Sequence, residues 1–80
     1  MDRNALKELL DRENVDPRSY AMDSSNPDEQ YSLEQTSEGW TVYYAERGLR
    51  RGEQTYDNEA DACRDLLERV LKDSTTRRRS

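Results

Sequence analysis

The most informative part of this chain is Trp40-Thr-Val-Tyr-Tyr-Ala-Glu46, which is followed by Arg47-Gly48-Leu49 and a polar run to Tyr56. Aromatic and β-branched residues are typical of strands, and a glycine between two such runs indicates a hairpin turn. We predict a three-residue loop at Arg47-Gly48-Leu49, which places Glu46 opposite Arg50 and Trp40 opposite Tyr56. The stretch therefore predicts two antiparallel strands.

A third predicted strand precedes this hairpin at residues 31–35. With a turn over residues 36–39, Gln35 lies opposite Trp40 and Leu33 opposite Val42, so the large apolar side chains share one face. The predicted inner face carries Tyr31, Leu33, Trp40, Val42, Tyr44 and Tyr56, and the predicted outer face carries Ser32, Glu34, Thr41, Tyr43, Ala45, Arg51, Glu53 and Thr55.

Two amphipathic helices flank the predicted strands. The first begins at a cap formed by Asp2 or Asn4 and extends to about Glu13, and the second follows a cap formed by Asp57 or Asn58. Each helix has one apolar stripe that must be covered. The stripe residues are Ala5, Leu6, Leu9 and Leu10 in the first helix, and Cys63, Leu66, Leu67, Val70 and Leu71 in the second.

These elements predict an α+β fold in the order α-β-β-β-α, in which a three-stranded antiparallel meander carries both helices on one face. We expect one domain over residues 1–73 and a flexible basic tail over residues 74–80. Residues 18–30 are polar and are predicted to form a loop, with a short edge strand from Tyr20 to Met22 as the alternative.

The composition excludes most catalytic chemistry. With no histidine and the single cysteine Cys63, the chain has neither the usual zinc ligands nor a nucleophile paired with an imidazole. Asp23, Asp28 and Glu29 lie close in sequence but lack the spacing of a twelve-residue calcium loop. We therefore predict that the protein is not an enzyme and binds neither a metal nor a cofactor.

Charge is distributed unevenly along the chain. Residues 1–46 carry eleven acids and four bases, whereas residues 47–80 carry seven acids and nine bases, for a net charge of −5. An acidic surface favours cationic partners and disfavours nucleic acid. The polar N-terminus and the lack of a long apolar run predict a cytoplasmic protein without a membrane partner.

Several segments resemble a known family. Three of them are similar to small immunity proteins of bacterial polymorphic toxin systems, particularly the actinobacterial type. These are the residues from Trp40 to Arg50, the run Glu59-Ala-Asp-Ala-Cys-Arg64 and the end from Lys72 to Arg77. The segments from Ala5 to Leu10 and from Asp16 to Tyr20 are similar as well. The resemblance implies a cytoplasmic protein that binds a cognate secreted toxin domain and inhibits it by occlusion. Such toxins often have basic clefts that hold phosphates.

The family offers no catalytic residues to transfer, so the predicted contacts come from the sheet. We expect Tyr43 to project into solvent from the central strand as an anchor, surrounded by steering charges. One alternative is a homodimer formed through the outer face, and another is a regulatory nucleic-acid-binding protein that uses Arg50, Arg51 and the arginine tail. The predicted partner-binding residues are Asp28, Glu29, Glu34, Tyr43, Glu46, Arg51 and Glu53.

Overall fold

The computed structural model describes residues 1–22 and 27–78 and has an α+β fold with two helices and a four-stranded sheet. The helices are α1 (Arg3–Arg12) and α2 (Glu59–Lys72), and short 3-10 turns span Pro17–Ser19 and Ser74–Thr76. The strands are β1 (Tyr20–Met22), β2 (Gln30–Thr36), β3 (Gly39–Glu46) and β4 (Leu49–Tyr56), and they lie side by side in the order β1-β2-β3-β4.

The predicted three-stranded antiparallel meander is wrong in one respect, because the sheet has a fourth, parallel strand. β1 pairs with β2 in parallel, with Tyr20 beside Tyr31 and Met22 beside Leu33. The alternative of an edge strand from Tyr20 to Met22 is therefore confirmed. Its parallel direction was not predicted, because three residues carry almost no pattern and direction depends on the path of the chain between the strands.

The pairing of β2 with β3 is confirmed: Leu33 lies opposite Val42, Tyr31 opposite Tyr44 and Gln35 opposite Trp40. The turn is tighter than predicted, since Thr36 and Gly39 already pair and only residues 37–38 form the loop. Gly39 has a φ of 135°, and a Cβ atom there would collide with the Tyr56 carbonyl oxygen.

The predicted three-residue loop between β3 and β4 is wrong. Glu46 pairs with Leu49, and Arg47 and Gly48 form a two-residue turn with φ values of 50° and 81°. Positive φ at both central residues is typical of the type I′ turn, whose twist matches that of paired strands. The turn therefore shifts the first half of β4 by one residue from the predicted pairing.

A β-bulge in β4 restores the predicted register in its second half. The pairing is irregular between Val42 and Tyr44, after which Val42 lies opposite Gln54 and Trp40 opposite Tyr56, as predicted. Gly52 lies in the bulge and has a φ of 64°, which a glycine adopts without strain. Arg51 now lies opposite Tyr44, so it shares the helix-covered side of the sheet, and its predicted position on the outer face is wrong.

The core lies between the two helices and the β2–β3 pair. Asp2 caps α1 and Asn58 caps α2, each through a side-chain oxygen that accepts from a backbone N–H three residues later at 2.8 Å. These caps fix where each apolar stripe begins. The buried cluster consists of Leu6, Leu10, Val15, Tyr20, Leu33, Val42, Ala62, Cys63, Leu66 and Val70.

The C-terminal segment is part of the fold through Arg78, so the predicted flexible tail over residues 74–80 needs correction for residues 74–78. The Asp16 N–H donates to the Thr76 carbonyl at 2.7 Å, and the Arg78 N–H donates to the Asn14 carbonyl at 2.7 Å. Thr76 is 3% exposed, and its hydroxyl donates to the Val70 carbonyl at the end of α2. Arg79 and Ser80 lie outside the described residues.

Gly39→Ala is expected to lower the free energy of unfolding by about 2 kcal/mol or more, because the new Cβ collides with backbone at an unfavourable φ. Gly48→Ala is the matched control, since its φ is also positive but no atom lies near the new Cβ, and it is expected to cost about 1 kcal/mol. Urea denaturation measures both. Equal losses would show that the contact with Tyr56 has no energetic weight.

Removal of residues 74–80 is expected to lower the free energy of unfolding by about 2 kcal/mol, since hydrogen bonds and a buried threonine are lost. A chain that ends at residue 78 keeps all of these contacts and is expected to match the full chain. Thermal or urea unfolding of the three proteins tests this. A stable chain ending at residue 73 would restore the tail assignment.

Candidate functional site

Tyr43 lies at the centre of the outer face, the side of the sheet away from the helices, and is 2% exposed. The predicted projection of Tyr43 into solvent is therefore wrong. The Arg50 guanidinium lies over its ring, 4.4 Å from the centroid, and the Tyr43 hydroxyl donates to Glu34 at 3.4 Å. Arg50 pairs across the strands with the small Ala45, which leaves its long side chain free to reach the neighbouring ring.

The charged side chains around Tyr43 form ion pairs with one another. Arg50 makes ion pairs with Glu34 at 2.9 Å and with Glu53 at 3.1 Å. Burial raises the pKa of Tyr43, while the positive charge of Arg50 opposes the increase. Three predicted contact residues, Glu34, Tyr43 and Glu53, thus form one cluster with Arg50, which was not among the predicted contacts.

The other predicted residues lie elsewhere. Arg51 and Glu46 are on the helix-covered side of the sheet, where the Arg51 Nε donates to Glu46 at 2.8 Å. Asp28 and Glu29 precede β2, and the Asp28 carboxylate accepts from the Arg47 N–H at 3.0 Å. Asp23, considered above as a calcium ligand, lies outside the described residues. The predicted set is therefore divided between the two faces of the sheet.

Tyr31 and Tyr44 form an aromatic pair near the end of α2. Their ring centroids are 4.8 Å apart and the rings meet edge to face at 60°. The Tyr31 hydroxyl donates to Asp73, the residue after α2, at 3.0 Å. Burial, followed by this hydrogen bond and the charge of Asp73, raises the pKa of Tyr31 to about 12. Tyr31 is thus held by Asp73, while Tyr44 remains half-buried at the edge of the helix-covered region.

Carboxylates surround Tyr44. Burial is the main cause that raises the pKa of its hydroxyl, and the negative charges of Glu29, Glu46, Asp73 and Asp28 raise it further. Glu29 is exposed and makes no hydrogen bond or ion pair with another described residue. Hydrogen bonds from the Thr75 side chain and backbone lower the pKa of Asp73.

This region also has a concave shape and an apolar border. A shallow cavity of about 430 Å³ is lined by Glu29, Tyr31, Tyr44 and Asp73, by the ion pair of Asp16 with Arg18, and by Ser19, Thr75 and Thr76. Leu49, which pairs with Glu46 at the start of β4, is 58% exposed. We call this region the Tyr44 surface, and it comprises Asp28, Glu29, Tyr31, Tyr44, Glu46, Leu49 and Asp73.

The sequence does not predict the Tyr44 surface, because Tyr44 alternates with Val42 and is therefore expected on the inner face. The alternation does place Tyr44 on the inner face, but it cannot show where the covering helix ends. That position depends on the angle at which α2 crosses the strands, which packing decides. Asp28, Glu29 and Glu46 were predicted as contacts, and the structure brings them together around Tyr44 rather than Tyr43.

The arrangement is suited to binding a cationic group. Ionised carboxylates beside an accessible aromatic ring attract and hold cations, and the cavity supplies contact area. Among residues 1–22 and 27–78, no group of three or more histidine, cysteine, aspartate or glutamate residues is placed to hold a metal ion. Cys63 is buried, and burial raises the pKa of its thiol.

Comparison with protein-family models, with curated proteins and with solved structures found no match. Within the described part of the chain, no helix is long and apolar enough to cross a membrane.

Arg50→Ala is expected to lower the free energy of unfolding by about 1 to 2 kcal/mol, because it removes two ion pairs and the cation over Tyr43. Arg51→Ala, one residue away on the opposite face, removes one exposed ion pair and is expected to cost less than about 0.5 kcal/mol. Urea denaturation at low salt measures the difference. Equal effects would contradict the role assigned to Arg50.

Proposed function

We propose that this protein is an immunity-type inhibitor that binds a secreted bacterial toxin domain and blocks access to its active site. The resemblance in the sequence is one support for the proposal. The observation that carries it is the Tyr44 surface, where a half-buried ring, an exposed leucine and four carboxylates lie together. A toxin that holds phosphates in a basic cleft presents the complementary charge.

Occlusion of this kind needs no reaction in the inhibitor. Tyr44 and Leu49 supply apolar area that is desolvated on docking, and a tyrosine loses little rotamer freedom when it becomes the centre of an interface. The carboxylates attract basic groups during the encounter and pair with them in the complex. The anchor proposed from the sequence, Tyr43, is thereby replaced by its neighbour Tyr44.

The two alternative functions receive less support. A homodimer through the outer face would have to dock on Tyr43, which is buried beneath Arg50. Nucleic-acid binding would need free arginines near the C-terminus. Arg77 instead donates to the carbonyls of Val70 and Leu71, and Arg78 pairs with Asp11 at 3.3 Å.

The product of the neighbouring gene is the test partner, and the proposal expects it to carry a toxin domain. Calorimetry of the purified pair is expected to show that Glu29→Lys weakens binding by about tenfold or more, since an attraction becomes a repulsion at the interface. Glu38→Lys makes the same change of charge at the β2–β3 turn and is expected to have less than a twofold effect.

Growth of cells that produce the toxin domain gives the functional readout. The wild-type chain and the Glu38→Lys variant are expected to protect such cells, whereas the Glu29→Lys variant protects them less. If the wild-type chain neither binds nor protects against the neighbouring product, the proposal of an immunity function is wrong. If Glu29→Lys and Glu38→Lys act alike, the assigned surface is wrong.

A further inference from the structure

A three-part contact occurs twice within this protein: an aromatic ring, an arginine over the ring, and a carboxylate that holds the guanidinium. On the outer face, Arg50 lies over Tyr43 and pairs with Glu34 and Glu53. At the other end of the sheet, the Arg3 guanidinium lies 5.0 Å from the centroid of the Trp40 ring, and its Nε pairs with Glu59 at 3.2 Å.

The Tyr44 surface has two of these three parts. Its ring and its carboxylates are in place, but among residues 1–22 and 27–78 no guanidinium lies over Tyr44. Arg51, the residue opposite Tyr44 on β4, is held by Glu46 at 2.8 Å. The nearest arginine on the adjacent strand is therefore already engaged.

The carboxylates of this surface also differ from those of the outer face in how they are satisfied. Asp28 accepts from a backbone N–H, Asp73 accepts from Thr75 and Tyr31, and Glu29 has no partner among the described residues. None of the three forms an ion pair with a described residue. Arg18 also lines the cavity, but its guanidinium is paired with Asp16 at 2.9 Å. Among the described residues, the carboxylates of Glu29 and Asp73 at the cavity therefore have no cation paired with them.

We propose that the Tyr44 surface binds an arginine side chain of the partner protein, with the guanidinium over the Tyr44 ring and held by Glu29. This inference rests on the proposed inhibitory function and names the group that the inhibitor recognises. Arginine fits better than lysine, because its planar guanidinium stacks on rings, pairs with carboxylates through two donors and is less strongly hydrated. A compact ammonium retains only the charge attraction.

Tetra-arginine and tetra-lysine peptides are the probes, titrated into the full chain while amide and aromatic NMR signals are followed. The arginine peptide is expected to bind at least about threefold more tightly, and the largest shifts are expected at Tyr44, Tyr31 and Glu29. Equal affinity for the two peptides, or shifts spread over the outer face, would overturn the inference.

Two pairs of variants separate specific contacts from attraction to an acidic protein. Glu29→Gln is expected to weaken the arginine peptide about threefold, whereas Glu38→Gln, the same neutralisation at an exposed residue of the β2–β3 turn, is expected to leave its affinity unchanged. Tyr44→Leu is expected to abolish the preference for arginine, and Tyr44→Phe to retain it. Retention of the preference in Tyr44→Leu would overturn the inference.

The peptide titration distinguishes this inference from the function on which it rests. If the arginine preference is found but the toxin domain does not bind, the immunity function fails and the recognition chemistry stands. If the toxin domain binds but Tyr44→Leu and Glu29→Gln leave its affinity unchanged, the function stands and the inference is overturned.

Discussion

The bulge in β4 is the constraint on which the arrangement of side chains depends. Between β3 and β4, the pairing set by the turn at Arg47 and Gly48 differs by one residue from the pairing of Trp40 with Tyr56. The extra residue of β4 is accommodated beside Gly52. Because side chains alternate along a strand, this shift places Arg50 on the outer face and Arg51 on the helix-covered face. The glycine permits the bend and leaves room for the Arg69 guanidinium of α2, 3.3 Å from where a Cβ would lie.

The two faces of the sheet consequently differ in how complete their contacts are. On the outer face, Arg50 covers the Tyr43 ring and pairs with two glutamates, so its side chain removes the ring from water. On the opposite face, α2 ends at Lys72 and leaves Tyr44 half-buried among carboxylates. Carboxylates that form no ion pair with a described residue, beside an accessible ring, are where a basic partner gains most, which is why the proposed function is assigned there.

Polar contacts supplement a small apolar core elsewhere in the chain as well. With 31% apolar residues in 80 positions, the helices and sheet have little core to share, and polar contacts join the remaining pieces. The segment after α2 pairs with the residues after α1, Thr76 is buried at the junction, and Arg77 satisfies carbonyls at the end of α2. The charged, bulged β4 and the three-residue β1 form the two edges of the sheet, and both features are typical of edges that resist pairing with other chains.

Both helices, their stripes and the pairing of Leu33 with Val42 follow from the amino-acid sequence, because those features depend on local periodicity and on alternation in a single register. The sequence also identified Asp28, Glu29 and Glu46 as candidate contacts from their charge. That Tyr43 is covered and Tyr44 is accessible follows from the three-dimensional packing instead, since burial depends on where α2 ends and on which arginine the bulge turns to each face. Those positions result from packing among distant segments, which no local pattern of residues records.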